Sequence, residues 1–445
     1  MTAPGHVIDD AAMNGFLKKV VVFSSGGSFL DGFVLSIVGV ALGGMTTMLG
    51  LTTVDAALIG AASLAGIFFG SLTGGRLTDA IGRRRMFMLD ITAIGLTSLA
   101  CVFVGAAWEL VALRFLLGFF VGADYPIATS LIAEFVPRKH RAIGMGIVSG
   151  AWYLGATVAA FVGYVLFDMD GGWRWMLASA IVPCLILLVG RRDIPESPRW
   201  LAQRGRVDEA RRVLARVYGR ETDLDDEVPA KLGFAPVFRK GYLARIIYLG
   251  VLILCQVVPM YAMYTFGPRI MGAFGLGEGR LAILGETVVS LFFLVGTVPA
   301  MFWLNSVGRR PLLIGSLALM AIGLFIPGVW PGASVLVIIV AFGIYAFFSG
   351  GPGILQWLYP NELFPTEVRA TAVGVAIAIS RIGVVISTYG LPLFLEAYGI
   401  GPTMLVGCGL LAAALAMSIA MAPETRGLTL SQASSLFDRK ERGRG

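Results

Sequence analysis

Charge is what this chain has least of. Asp, Glu, Lys and Arg make up 14% of its 445 residues, against roughly a quarter in an average soluble domain. That deficit excludes an ordinary soluble globular fold. Histidine is nearly missing, with only His6 and His140 present, which excludes a histidine-built metal or acid–base centre. The four cysteines, Cys101, Cys184, Cys255 and Cys408, fall in four different apolar runs with no metal-like spacing. They read as small apolar packers, with no disulfide framework and no metal implied. Neither a nucleophile–base pair nor a nucleotide-binding glycine loop is present, so no catalytic residue, no cofactor and no enzymatic activity is expected.

What the chain has instead is apolar length. Hydrophobic residues make up 57% of it and the mean hydropathy is +0.80. Twelve continuous apolar runs, the first near residues 20–42 and the last near 400–421, reach the roughly 20 residues that a membrane-crossing helix needs. They do not alternate and are far longer than barrel strands, so the expected class is an all-α membrane protein. Of the 35 Lys and Arg, 30 fall in loops on the side that holds both termini, and three (Arg174, Arg269, Arg280) on the other. Arg114 and Arg381 lie inside runs. This bias places both termini in the cytoplasm of a multi-pass inner-membrane protein. The net charge of +7 is therefore a topology signal, and no nucleic-acid partner is implied. Lys18-Lys19 before the first run imitates a signal peptide, but the run is long, carries Asp31 and offers no convincing cleavage site.

The chain also repeats itself at half its length. Glu134, Pro137, Arg141 and Ala142 return as Glu362, Pro365, Arg369 and Ala370. Gly82-Arg83-Arg84 returns as Gly308-Arg309-Arg310, and Pro195-Glu196 as Pro423-Glu424. Duplication of a six-span unit accounts for this. The expected organisation is a first bundle over 1–190, a cytoplasmic linker over 191–241, a second bundle over 242–425 and a basic tail over 426–445. In the linker, Val207, Ala210, Val213, Leu214 and Val217 share one helical face, followed by an acidic stretch at Asp223–Glu227.

These features together resemble the major facilitator superfamily. GRLTDAIGRRR (Gly75–Arg85) is similar to its loop signature between the second and third helices, echoed at NSVGRRP (Asn305–Pro311). RFLLGFFVGADYP, PESPRWL and PETRGL resemble the sugar-porter branch, and GADYP is also similar to proton-coupled phosphate transporters. The resemblance implies twelve transmembrane helices in two pseudo-symmetric six-helix bundles, acting as a monomer on a small-molecule substrate by alternating access.

Charges inside the membrane cost about 2.5–3.5 kcal/mol each at the centre even on lenient scales, so each asks for a reason. Asp31 shares a helical face with Ser24 and Ser28, flanked by glycines. Arg114 and Asp124 lie in the fourth run, where Gly118 and Gly122 continue the Arg114 stripe and permit close helix contact. Asp31 and Arg114 match positions that sugar porters use as a proton-coupling pair, and Asp124 matches the phosphate-transporter-like proton site. A fixed internal ion pair is the alternative. Arg381, in the eleventh run, either meets an anionic substrate group or pairs with Glu286, which lies near a span end and reads as solvated or packing.

Alternating signs recur at the cytoplasmic helix ends: Asp79, Arg83, Arg84, Glu134, Arg141 and Glu196 in the first half, Arg309, Arg310, Glu362, Arg369 and Glu424 in the second. By resemblance they form a cytoplasmic gate. The seventh run, CQVVPMYAMYTFGP, aligns to the sugar-porter pattern at Gln256 and Pro268, but Cys255 and Tyr261 replace an expected glutamine and asparagine. The candidate substrate contacts are Trp152, Tyr153, Gln256, Tyr261, Tyr264, Gln356, Trp357 and Arg381. The expected activity is proton-coupled symport of a sugar derivative or organic acid. A phosphate or other anion carrier is the rival, and a transporter-like nutrient sensor is the rival of another class.

Overall fold

The structure, a computed structural model, describes residues 13–136, 138–218, 240–276, 279–364 and 366–426. The acidic stretch Asp223–Glu227 and most of the basic tail lie outside the described residues. Every regular element among the described residues is helical. The first half holds α1 (Gly15–Leu49), α2 (Thr53–Ile81), α3 (Arg83–Ala100), α4 (Ala107–Phe135), α5 (Arg138–Leu166), α6 (Gly172–Ala178) and α7 (Ile181–Arg191). Two shorter helices follow, α8 (Pro198–Gln203) and α9 (Val207–Tyr218). The second half holds α10 (Lys240–Met271), α11 (Arg280–Ser306), α12 (Arg309–Val329), α13 (Val335–Leu363), α14 (Thr366–Tyr398) and α15 (Ile400–Met421). Among the described residues, eleven helical stretches are long and apolar enough to cross a membrane, with α6 and α7 together making one of them. The 29-residue α4 stands where the twelfth is expected.

Local signals explain the ends. The Asn14 side chain accepts the Leu17 N–H at 2.8 Å and so caps α1, whose last turn closes on Gly50 in the left-handed conformation (φ +60°). Gly82 and Gly308 precede α3 and α12 at φ +104° and +110°. Both are positions of the internal repeat, and both take a backbone that a side chain would strain. Helix α10 leaves helical geometry at Phe266 (φ −129°, ψ 18°), two residues before Pro268, whose ring crowds the carbonyl four residues back.

Contacts divide the chain into two units. One comprises residues 1–51 and 62–228, the other 52–61 and 229–445. The amphipathic linker helix α9 therefore belongs to the first unit. Its Val217 is buried in a cluster with Leu17, Val20, Met86, Phe87, Ala123 and Phe135, and Ala210 packs against Trp200 and Leu201 of α8.

Within each unit glycines set the helix spacing. In the first, a Cβ on Gly66 would stand 2.1 Å from the Phe115 carbonyl, one on Gly118 2.0 Å from the Ser63 carbonyl, and one on Gly122 2.3 Å from the Ile67 carbonyl. Helices α2 and α4 thus touch backbone to backbone, as small residues allow in a bilayer where apolar burial supplies no drive between helices. In the second unit Gly296 stands in the same relation to Phe347 of α13, and Gly350 to the carbonyl of Gly296. The repeat seen in the sequence is a repeat of packing.

Candidate functional site

Helix α1 is buried along most of its length because serines and glycines dominate its middle. A Cβ on Gly32 would lie 1.9 Å from the Trp152 carbonyl, and one on Gly155 2.0 Å from the Phe29 carbonyl, so α1 and α5 are in backbone contact. That contact brings Trp152 and Tyr153, whose rings meet edge to face at 5.5 Å, beside the turn that carries Asp31. Asp31 is 2% exposed.

Arg114, 1% exposed, donates to the Val34 carbonyl at 2.7 Å. Val34 is three residues from Asp31, about 4.5 Å along the helix axis. The guanidinium is thus bonded to the backbone of α1 one turn away from the aspartate, rather than to Asp31 itself.

Asp124 meets a different cation, Arg191. Arg191 and Arg245 stand among the loop cations of the sequence, yet both are 1% exposed. Arg191 ends α7 with its side chain turned inward: Nε donates to the Phe23 carbonyl at 2.8 Å, the guanidinium lies over the Phe87 ring, and one terminal nitrogen is 3.9 Å from the Asp124 carboxylate. Gly27 makes room, since a Cβ there would overlap the other Asp124 oxygen. Asp31 on α1 and Asp90 on α3 also act electrostatically on Arg191. Sequence reasoning passes over Asp90, although an aspartate in the middle of FMLDITAIGL is a visible signal. Arg191 is hidden in the linker-like RRD that follows the sixth run.

In the second unit, Arg381 donates to the Tyr261 hydroxyl at 2.8 Å, and the guanidinium lies 5.5 Å from that ring's centroid. It does not take Glu286 as the sequence alternative has it. Glu286 is also not solvated: it is 1% exposed, pressed on Gly267 of α10, and neither carboxylate oxygen has a hydrogen-bond partner. Three of the expected substrate residues, Gln356, Trp357 and Arg381, line one recess with Ile253, Val257, Ile377 and Ser380. Gln256 is buried and neither atom of its amide is hydrogen-bonded. The Tyr264 ring lies tilted against Phe293 (5.1 Å), which meets Tyr345 edge to face (5.6 Å).

The repeated charges at the helix ends act largely through backbone. The Glu196 carboxylate accepts the N–H groups of Arg83 (2.9 Å) and Arg84 (3.2 Å), and Arg84 donates to the Arg192 carbonyl. Glu424 does the same for Arg309 (3.1 Å) and Arg310 (3.0 Å). Each carboxylate thus caps the amino end of the helix after a positive-φ glycine, where free N–H groups and the helix dipole favour a negative charge. Arg309 also pairs with Glu362 at 3.2 Å, and Thr425 donates to the same carboxylate at 2.5 Å. The side chains of Asp79, Glu134, Arg141 and Arg369 lie outside the described residues.

Burial pushes the Glu424 carboxyl up, but N–H donation from Arg426, Arg309 and Arg310 outweighs it and holds it below the usual glutamate value of 4.5. A carboxyl lowered on folding stabilises fully above its unfolded value and loses that contribution as pH falls through the folded one. Glu424→Ala is expected to cost about 1–2 kcal/mol at neutral pH. In thermal melts the gap to the parent protein should close as the pH falls below 4.5 and through the lowered folded-state value. A gap constant with pH would show that the charge is not what caps α12.

The sequence profile described as "Sugar (and other) transporter" matches residues 12–437. The chain is 48% identical over 439 residues to YaaU of Escherichia coli (strain K12), named for metabolite transport, covering 99% of both chains. It is 32% identical to the inner membrane metabolite transport protein YgcS of the same organism, over 96% of each. Among solved structures it is similar to the proton:xylose symporter XylE bound to 6-bromo-6-deoxy-D-glucose, with a TM-score of 0.78 and 21% identity over 95% of this chain and 99% of that one. A multi-pass helical fold shared with that symporter and a family of transporters rather than enzymes converge: this chain belongs to the sugar (and other) transporter family.

Proposed function

We propose that the protein is a proton-coupled symporter of the inner membrane. It imports a small polar metabolite, a sugar derivative or organic acid, by alternating access, with both termini cytoplasmic and one chain as the working unit. The observation that carries this reading is the set of buried ionisable groups in the first unit, Asp31, Asp124, Arg114 and Arg191, with no loop or surface role to account for them. Intramembrane charges mark ion pathways by default because their cost must be recovered in function. Asp31 and Asp124 hold the coupled proton, and Arg114, one turn from Asp31, is the cation whose approach expels it.

The recess of Gln356, Trp357 and Arg381, with Gln256 and Tyr261 on α10, receives the substrate. An aromatic face with amide and guanidinium donors suits a polar compound carrying hydroxyl or carboxylate groups. The likeness to a proton:xylose symporter and to proteins named for metabolite transport supports the same reading. Arg381 also favours a second one, transport of phosphate or another anion, because a guanidinium pairs bidentately with such groups.

A thermal-shift screen of the purified protein over pentoses, hexoses, polyols, organic acids and phosphate separates the two. Stabilisation by a neutral sugar or polyol, or by a carboxylate, followed by its acid-driven uptake into proteoliposomes, supports the first. Stabilisation by phosphate alone replaces it with the second. The capped helix ends and the Arg309–Glu362 pair act as a latch biasing the access equilibrium by a few kcal/mol. Glu362→Ala is expected to change maleimide labelling of cysteines placed along the transport path, and unaltered labelling from both sides would discard the latch.

A further inference from the structure

Among the described residues of the first unit, three aspartates (Asp31, Asp90 and Asp124) and two arginines (Arg114 and Arg191) are buried. Asp90 sits on α3 at 0% exposure with neither oxygen hydrogen-bonded. Asp124 on α4 is buried with its carboxylate 3.9 Å from Arg191, whose guanidinium lies over the Phe87 ring, one turn before Asp90 on α3. Arg191 spends its Nε on the Phe23 carbonyl, and its two terminal nitrogens have no hydrogen-bond partner. The groups facing α3 from every element packed on it are few. From α4 come Asp124 and Arg114, the latter bonded to Val34; from α7 come Arg191 and Cys184, the latter against Gly95. Among the described residues, Arg174 of α6 lies over the Trp173 ring and donates to the Val102 carbonyl at the far end, and α9 presents Val217 to the Phe87 region while its Arg211, Arg212 and Arg216 are exposed.

One guanidinium sustains one carboxylate in a low-dielectric interior. Two carboxyls that share a site cannot both ionise without a second cation. Asp124 holds the place at 3.9 Å. We propose that Asp90 is a further proton-carrying residue of the transporter: it rests protonated, in a carboxyl cluster for which Arg191 is the shared counter-ion. When Arg191 turns from Asp124 to Asp90, the proton that Asp90 releases is the one Asp124 takes up, and the charge of the cluster is unchanged. Arg191 is a positioning residue here, and the flat Phe87 ring beneath its guanidinium lets it swing without leaving a favourable face. This rests on the proton-coupling reading above but is tested apart from it.

The test is infrared spectroscopy of the full chain in liposomes at pH 7, without substrate, reading the carbonyl absorption of protonated carboxyls. Glu286→Gln supplies the background, since Glu286 is also buried. In that background, Asp90→Asn is expected to remove one carboxyl's absorption, and Asp90→Glu to restore it at a shifted position. Arg191→Gln is expected to add one carboxyl's absorption as Asp124 loses its counter-ion, whereas Arg191→Lys should not. A spectrum unchanged by Asp90→Asn and by Asp90→Glu overturns the proposal, because Asp90 is then ionised. Should either variant fail to fold, the other decides. If instead Asp31→Asn keeps uphill transport while the Asp90 absorption is present, Asp31 leaves the coupling role and this assignment stands.

Discussion

Asp31→Asn is expected to abolish accumulation of substrate against its gradient while leaving exchange intact. The compound returned by the thermal-shift screen, labelled, is the probe. With one proton moved per substrate, each unit of inward pH gradient is worth about 1.4 kcal/mol, a tenfold accumulation. The parent protein should approach that ratio in proteoliposomes, and the variant should stop near onefold. Counterflow, which needs the loaded carrier to reorient but no net proton movement, should persist within about threefold. The reason is local. Asp31 is buried beside the α1–α5 contact, with Arg114 one turn to one side and Arg191 within electrostatic reach on the other. A carboxyl between two cations binds or loses its proton according to which is close. Asparagine keeps the shape and removes that dependence. Full accumulation in the variant would take Asp31 out of coupling and leave Asp124 and Asp90 to carry it.

Gly32→Val is expected to prevent recovery of folded protein, or to lower its thermal stability by clearly more than the 1–3 kcal/mol of ordinary overpacking. The added Cβ would stand 1.9 Å from the Trp152 carbonyl, a backbone atom of α5 with no rotamer to escape into. The two helices would have to part, and Gly155 against the Phe29 carbonyl closes the same contact from the other side. Gly43 on the same helix has open space around it, so Gly43→Ala should stay within about 0.5 kcal/mol of the parent. Size-exclusion profiles and melts in detergent compare the three proteins. Equal behaviour of Gly32→Val and Gly43→Ala would mean that the α1–α5 spacing is not set by this glycine.

Much of the architecture is legible in one dimension because the bilayer simplifies the problem. Apolar length fixes the spans, and the returns of Gly82-Arg83 at Gly308-Arg309 and of Glu196 at Glu424 expose the duplication. Even the packing role of Gly118 and Gly122 follows from their spacing. The partners of charges are another matter. Glu196 and Glu424 appear in sequence as members of ionic pairs with the arginines beside them, yet they bind the arginines' backbone N–H groups. Glu286 reads from sequence as either solvated or packing, and the structure encloses it against Gly267.

What the sequence by itself determined is therefore the class, the spans, the repeat and the family resemblance, since each depends on composition or spacing along the chain. What only the tertiary structure decided is which ions meet. Arg191 and Asp124 are 67 residues apart on helices that the chain order does not pair. Arg191 stands at a helix end where a side chain of its length can turn to water or to the core with equal ease of geometry. Its side chain is turned inward, onto the Phe23 carbonyl, over the Phe87 ring and 3.9 Å from Asp124, a set of neighbours that only the packing of α1, α3, α4 and α7 brings together.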